Sequence, residues 1–199
     1  MTITSYDTLK TTVADFLNRD DLTAAIPTFI QLNEGVINRK LRHWKMEKRS
    51  TAAINTQYAD LPSDWLETIR YSIQGKRNLE LLSQSQMTER RVDGASAGEP
   101  CYYSLTGGDV EVFPVPDASY TSEMVYFAEL PALSDSATSN WLLEENPDVY
   151  LYGALLHSAP YLQEDGRIAA WGELFTSGMA SLQAASDKAR HSGSGLKMR

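Results

Sequence analysis

Three histidines, His43, His157 and His191, and a single cysteine, Cys101, are the residues of this chain best suited to metal or nucleophilic chemistry. A metal site needs such ligands clustered or at helical spacing. The histidines stand far apart, and none has a histidine or cysteine one helical turn away. His157, in an apolar run, reads as a core or interface residue. Cys101 paired with His157 would make a nucleophile and base, but it lies between Pro100 and Tyr102 with no motif around it. A packed or edge-strand cysteine is the simpler reading. Ser192-Gly-Ser-Gly195 sits near the end of the chain rather than on a strand-to-helix turn. Gly107-Gly108 reads as a hairpin rather than a phosphate loop. The paired carboxylates are Glu144-Glu145 and Glu164-Asp165. A glycosidase holds two acids across a cleft, whereas sequence neighbours on a helical turn point apart. Acids at 164–165 also suit the start of a following helix. Neither enzymatic activity nor a metal or cofactor is expected.

Charge says more. The chain has 199 residues and a net charge of −8, which argues against a surface that grips nucleic acid throughout. Six basic residues, Arg39, Lys40, Arg42, Lys45, Lys48 and Arg49, face one acid, Glu47, within 39–49. Six acids, Glu144, Glu145, Asp148, Glu164, Asp165 and Glu173, face one base, Arg167, within 141–175. Opposite signs at separate places suit a head-to-tail contact between identical copies, or simply two solvated faces. Arg39, Lys40, Arg42, Lys45, Glu144, Glu145 and Asp148 are the candidate contact residues. Arg42-His-Trp-Lys45 is the one place where aromatic and basic residues interleave. A helix end explains it as well as base stacking does. At the C-terminus, Lys188, Arg190, Lys197 and Arg199 outweigh Asp187, with Leu196 and Met198 as apolar anchors. Such a tail could dock on a partner and order there, or remain solvated.

The elements that must position these residues follow from periodicity. Residues 5–17 read as a helix capped by Thr4 or Ser5, with Tyr6, Leu9, Val13, Phe16 and Leu17 on one face. A second, longer helix is expected over 22–44, with Pro27 near its start. From 50 to 127 the pattern changes to short β-prone runs: 50–55, 58–61, 68–73, 78–82, 102–106, 109–113 and 121–128. Gly107 and Gly108 can both take positive φ in a hairpin between two of them. A short helix is expected over 85–92 and a loop over 93–100. Asn146, Pro147 and Asp148 then form a helix start by capping, by fixed φ and by charge. From Val149 to Tyr161 only His157 and Ser158 are strongly polar. A helix apolar on nearly all sides has to be covered by other elements or by another subunit. Pro160 ends or kinks it. A long amphipathic helix is expected over 165–190, striped by Ile168, Trp171, Leu174, Phe175, Met179 and Leu182.

Helices, then strands, then helices make an α+β chain. The expected organisation is a helical bundle from N- and C-terminal helices (1–48 and 136–190), an inserted small antiparallel β lobe (49–135) and an extended tail (191–199). No run of apolar residues is long enough for a transmembrane helix. The N-terminus lacks the basic and apolar regions of a signal peptide. One cysteine forms no intrachain disulfide, which fits assembly in a reducing host cytoplasm.

Four blocks carry a resemblance. The first is Tyr6-Asp-Thr-Leu-Lys10, Val13-Ala-Asp-Phe-Leu-Asn-Arg-Asp-Asp-Leu22, Ile26-Pro-Thr-Phe-Ile30 and Ile37-Asn-Arg-Lys-Leu-Arg42. The second is Leu61-Pro-Ser-Asp-Trp-Leu-Glu67, and the third Pro100-Cys-Tyr-Tyr103 with Gly107-Gly-Asp-Val-Glu-Val-Phe-Pro-Val-Pro116. The fourth is Tyr126-Phe-Ala-Glu-Leu-Pro-Ala-Leu-Ser-Asp135, Asn140-Trp-Leu-Leu143 and Pro147-Asp-Val-Tyr-Leu-Tyr-Gly-Ala-Leu155. In this order, from Thr2 to about Arg190, they resemble the head-to-tail adaptor proteins of tailed bacteriophages. No block is a chemical motif, so the specificity lies in their number and order. The residues beyond Arg190 match weakly.

The resemblance implies a structural protein of the virion neck and no enzyme activity. It implies a homo-oligomeric ring, usually of twelve copies, beneath the portal protein. The ring would extend the double-stranded DNA channel and offer a platform to the next tail or nozzle protein. A C-terminal extension docks on the portal, which puts Lys188, Arg190, Leu196, Lys197, Met198 and Arg199 forward as docking residues. A stopper or tail-completion protein of the same neck is the neighbouring alternative. A virion-associated cell-wall hydrolase, which needs two facing carboxylates in a cleft, is the alternative of a different class.

Overall fold

The computed structural model describes residues 2–92, 94, 96–162 and 166–191. It is an α+β protein in two units, Met1–Lys45 with Leu130–Arg199, and Met46–Glu129. The first is helical: α1 (Tyr6–Leu17), α2 (Ile26–Lys40), α4 (Trp141–Glu145), α5 (Pro147–His157) and α6 (Arg167–His191). The second holds β1 (Glu47–Ile54), β2 (Tyr58–Asp60), β3 (Trp65–Ile73), β4 (Glu80–Leu81), α3 (Gln84–Val92), β5 (Tyr102–Thr106), β6 (Asp109–Phe113) and β7 (Tyr120–Ala128).

Local chemistry sets the helix ends. Ser5 caps α1 by accepting from the Thr8 amide, while the Thr8 hydroxyl accepts from the Ser5 amide at 2.9 Å. Asn18 closes α1 in the left-handed region at φ 51°. The single long helix expected over 22–44 is shorter. Asp20–Leu22 form a 3₁₀ turn, α2 starts at Ile26 with Pro27 in its first turn, and Leu41 leaves the helix at ψ 133°. Leu41 is buried, so its place in the apolar stripe was real, but it is reached by extended chain. Asn146 precedes α5 without a side-chain cap; Asn140 caps instead, accepting at 3.0 Å from the Leu143 amide to start α4. In the β5–β6 hairpin Gly107 alone takes positive φ, at 62°.

α5 is the axis of the helical unit. Val149, Tyr150, Leu151, Gly153, Ala154 and Leu155 are buried, and the helix packs on α2 and α6 and also meets α1 and α4. Each large side chain buried there contributes about 1.5–3 kcal/mol. α2 crosses α5 where Gly153 meets the Asn33 side chain; a Cβ on Gly153 would lie 2.1–2.4 Å from the atoms of the Asn33 side-chain amide, far inside van der Waals contact. Beside this crossing lies a buried polar network. Glu34 accepts from the Leu133 amide at 2.8 Å and from the Tyr150 hydroxyl at 3.1 Å. Asn140 donates to the Tyr150 hydroxyl at 2.7 Å and to the Pro131 carbonyl at 2.8 Å. Burial pushes the Glu34 carboxyl above its ordinary value of 4.5, against the pull of both donors.

In the second unit two sheets share one core. One has order β1-β7-β3, all antiparallel; the other has order β2-β6-β5-β4, antiparallel except that β4 runs parallel to β5. Ile54, Tyr71, Ile73, Met124 and Tyr126 from the first meet Tyr103, Val110 and Val112 from the second. The alternation of strand side chains supplies both inner faces. Buried Glu111 is paired by Arg91, which ties α3 to this unit, and accepts from the Gln57 side-chain Nε2 at 2.8 Å.

Gly153→Ala is expected to cost about 2 kcal/mol or more, because the new methyl has no space at the α2–α5 crossing. Gly98→Ala, which meets nothing within 4 Å, should change stability by less than about 0.5 kcal/mol. Urea unfolding of both variants checks this.

Candidate interaction surface of the helical unit

The two segments of opposite charge meet at one end of the helical unit. Lys45 forms an ion pair with Glu145 of the same chain. Two of the candidate contact residues are thus joined internally. The reason is antiparallel packing: α5 starts beside the end of α2 and against Gly178 in the middle of α6. Gln183 and Ser186 of α6 lie at the exit from α2, where Ser186 Oγ accepts from the Trp44 amide at 3.0 Å.

Aromatic rings and cations fill this end. The His43 ring stacks on Trp141 with centroids 4.9 Å apart at 23°. Lys45 Nζ lies 5.5 Å from the Trp44 ring centre and 5.6 Å from that of Trp141, within cation–π range. His43 is buried and its Nδ1 accepts from the Lys45 amide at 3.2 Å, so the neutral imidazole is the form this geometry holds. Burial, and then the Lys45 charge, hold its pKa below the ordinary 6.5. Trp44, by contrast, is 45% exposed. An exposed tryptophan beside a cation is of the kind enriched at protein–protein contacts.

The other candidates take varied roles. Arg42 folds onto the end of α2, donating to the carbonyls of Asn38 at 2.9 Å and Leu41 at 2.8 Å, where a cation suits the helix C-terminus. Arg39 and Lys40 are exposed in the last turn of α2. Glu144 accepts from Ser139 Oγ at 2.8 Å. Asp148 is exposed in the first turn of α5, where a negative charge is favoured. Lys48 and Arg49 belong to the other unit and pair with Asp64 at 2.5 Å and Glu123 at 3.8 Å. Lys188 and Arg190 are exposed on α6; Leu196, Lys197, Met198 and Arg199 lie outside the described residues, as do Glu164 and Asp165.

Glu144 and Glu145 have separate partners, a hydroxyl and an ammonium. Among the described residues no group of histidine, cysteine and acids is placed to hold a metal. Cys101 accepts from Arg77 Nη1 at 3.3 Å and donates to the Glu99 carbonyl at 3.4 Å, as a partly buried thiol just before the interior strand β5 rather than on an edge strand.

A family model described as SU10 adaptor protein matches residues 4–198. The chain belongs to the SU10 adaptor protein family. Membership accords with the resemblance to phage head-to-tail adaptors and supports a structural role as a component of the virion neck. A comparison with curated proteins finds no match. Among the described residues of this adaptor, no helix is long and apolar enough to cross a membrane.

Two features of the adaptor escaped periodicity: the His43–Trp141 stack and the Glu34–Tyr150–Asn140 network. Both join residues about a hundred positions apart, and local spacing carries no signal of that. The polar residues Asn33 and Glu34 within an apolar helical stripe were the available clue.

His43 gives a pH signature. Its folded pKa is depressed, so the stability it carries is complete above the ordinary imidazole range and is lost as pH falls through the lowered value. Urea midpoints measured from pH 8 to pH 5 should fall for the adaptor and fall less for His43→Phe, which keeps a ring against Trp141.

Proposed function

We propose that the chain works as a ring-forming connector between the portal and the tail of a phage, assembled in the host cytoplasm. The family match across residues 4–198 carries this reading. A ring needs one surface on each copy to meet a different surface on the next, each contact identical. The basic, tryptophan-bearing end of the helical unit is our choice for one of the two. Arg39, Lys40 and Arg42 supply the cations and Trp44 the apolar contact, with Glu144 and Asp148 as carboxylates. Lys45 and Glu145 hold that end together from within.

Around a DNA channel, usually of twelve copies in such rings, the net charge of −8 per chain repels phosphate and lets the duplex slide. No base readout is required, and no base-reading motif was found. The basic tail, with Leu196 and Met198 flanked by Lys197 and Arg199, suits docking on the portal. The opposite side of the ring would serve as the platform for the next neck protein.

Sedimentation velocity of the chain mixed with its cognate portal tests the contact. Lys40→Glu reverses an exposed charge and is expected to weaken assembly on the portal about 10-fold. Trp44→Ala should weaken it comparably. Assembly unchanged by both variants, with the helical signal intact, removes this end from the contact.

A further inference from the structure

The outer side of α6 is unlike that of an ordinary surface helix. From Ile168 to Ser186 the helix carries one charged residue, Glu173. A helix of a soluble protein normally sets charged residues opposite its buried stripe. Here Trp171, Phe175, Leu182 and Ser186 are buried, while Ala169, Thr176, Ser177, Ala180 and Ala184 are exposed. Beside α5 this exposed side is hollow. Leu156 of α5 forms one wall of an open groove of about 630 Å³, and Ala169, Gly172, Thr176 and Ala180 of α6 line it. Glu173 also lines it, and among the described residues it has no ion-pair partner.

The groove leads toward the end of the helix. Eleven residues complete three helical turns to within about 20°. Ala169, Ala180 and His191 therefore lie on one line along α6, and His191 ends the helix. Exposed Ala184 and Asp187 lie along the same line. Ser192-Gly-Ser-Gly-Leu-Lys-Met-Arg199 follows. Gly193 suits a tight reversal, since it takes positive φ without steric cost. Extended chain advances about 3.3 Å per residue and α-helix about 1.5 Å, so each returning residue passes about two residues of α6. A reversal at Ser192 and Gly193 brings Leu196 beside Ala184 and Met198 level with the Ala180 end of the groove. Leu196 and Met198, two apart, face the same side of an extended chain. Arg199 then points along the groove toward Glu173. Length, apolar spacing and charge thus agree on one occupant.

We propose that residues 194–199 dock in cis along the outer side of α6. Met198 enters the groove between Leu156 and Ala180, and Arg199 pairs with Glu173. A tether this short holds the segment at an effective concentration on the order of millimolar, so a weak seat stays filled. The groove is then the resting place of the segment with which the chain docks on a portal. Only this consequence, that the portal must draw the segment off α6, rests on the connector reading.

The test compares amide nuclear magnetic resonance spectra of the isotope-labelled full chain and of the chain lacking residues 192–199. Truncation is expected to shift the amides of 169–180 and of Leu156. A synthetic peptide of residues 190–199 should return them to their positions in the full chain. It should bind Glu173→Lys of the truncated chain about 10-fold more weakly. In the full chain, Met198→Ser and Ala180→Trp, which fills the near end of the groove, should each reproduce the truncation shifts at Leu156 and Gly172. Both positions 173 and 180 are exposed, so these variants keep the fold. Amides of 169–180 that ignore truncation, or equal peptide affinity for Glu173→Lys, would overturn the proposal. So would truncation shifts that fade as the full chain is diluted, which makes a second copy's tail the occupant. None of these readouts involves the portal, so a failure here is separate from a failure of the ring.

Discussion

The crossing of α2 over α5 is the constraint on which the helical unit depends. α5 offers almost no polar face, so it has to be enclosed, and enclosure requires close approach on more than one side. Gly153 permits that approach by giving its space to the Asn33 side chain. The same choice places Asn33 and Glu34 inside an apolar core. Asn33 donates weakly to the carbonyls of Val149 and Tyr150, while its own Oδ1 finds no partner. Glu34 is satisfied by a backbone amide and a phenol, and Asn140 completes that network. A buried network with its members matched specifies one register of α2 against α5, because a slide by one turn would strand each polar group. It also binds the segment after β7, through Leu133, and the start of α4, through Asn140, to the same centre.

From this centre the charged end follows. With α5 antiparallel to α2 and α6, the acids that favour the start of α5 arrive beside the bases that favour the end of α2. Lys45 and Glu145 join them, although a partly exposed pair of this kind adds at most about 1 kcal/mol. The pairing matters more for position than for energy. It fixes Lys45 between two indoles and leaves Trp44 half out in solvent. The strand unit solves a different problem. It buries both inner faces, but with small side chains along one margin it leaves a cleft beside β1, the one long, regular edge among the described residues.

Much of this was readable from spacing. The three-and-four stripe and Ser5 located α1, the apolar run located α5, and Gly107-Gly108 located the tightest hairpin almost to the residue. Leu41 misled because a buried residue in extended chain can continue a helical period, and the half-exposed Trp44 followed it in the 3₁₀ turn beyond; the folding of Arg42 onto the Asn38 and Leu41 carbonyls marks the end of α2. Asn146 has the residue type of a cap but not its geometry, while Asn140 is placed to accept from α4. The charged segments were legible as segments, but that they meet in one chain was not, since it depends on helix direction. The unfilled cleft was equally hidden. Ser50 and Ala52 look like ordinary strand residues until their inward orientation is known.

The central claim is that this adaptor closes into a ring on a portal. Cryo-electron microscopy of the full chain mixed with its cognate portal, beside the same mixture lacking residues 188–199, tests it most directly. The account predicts a symmetric ring of this chain on the portal, lost when the tail is removed. A ring that survives truncation would contradict the docking role of the tail alone. An intact chain that stays off the portal and forms no ring would contradict the account itself.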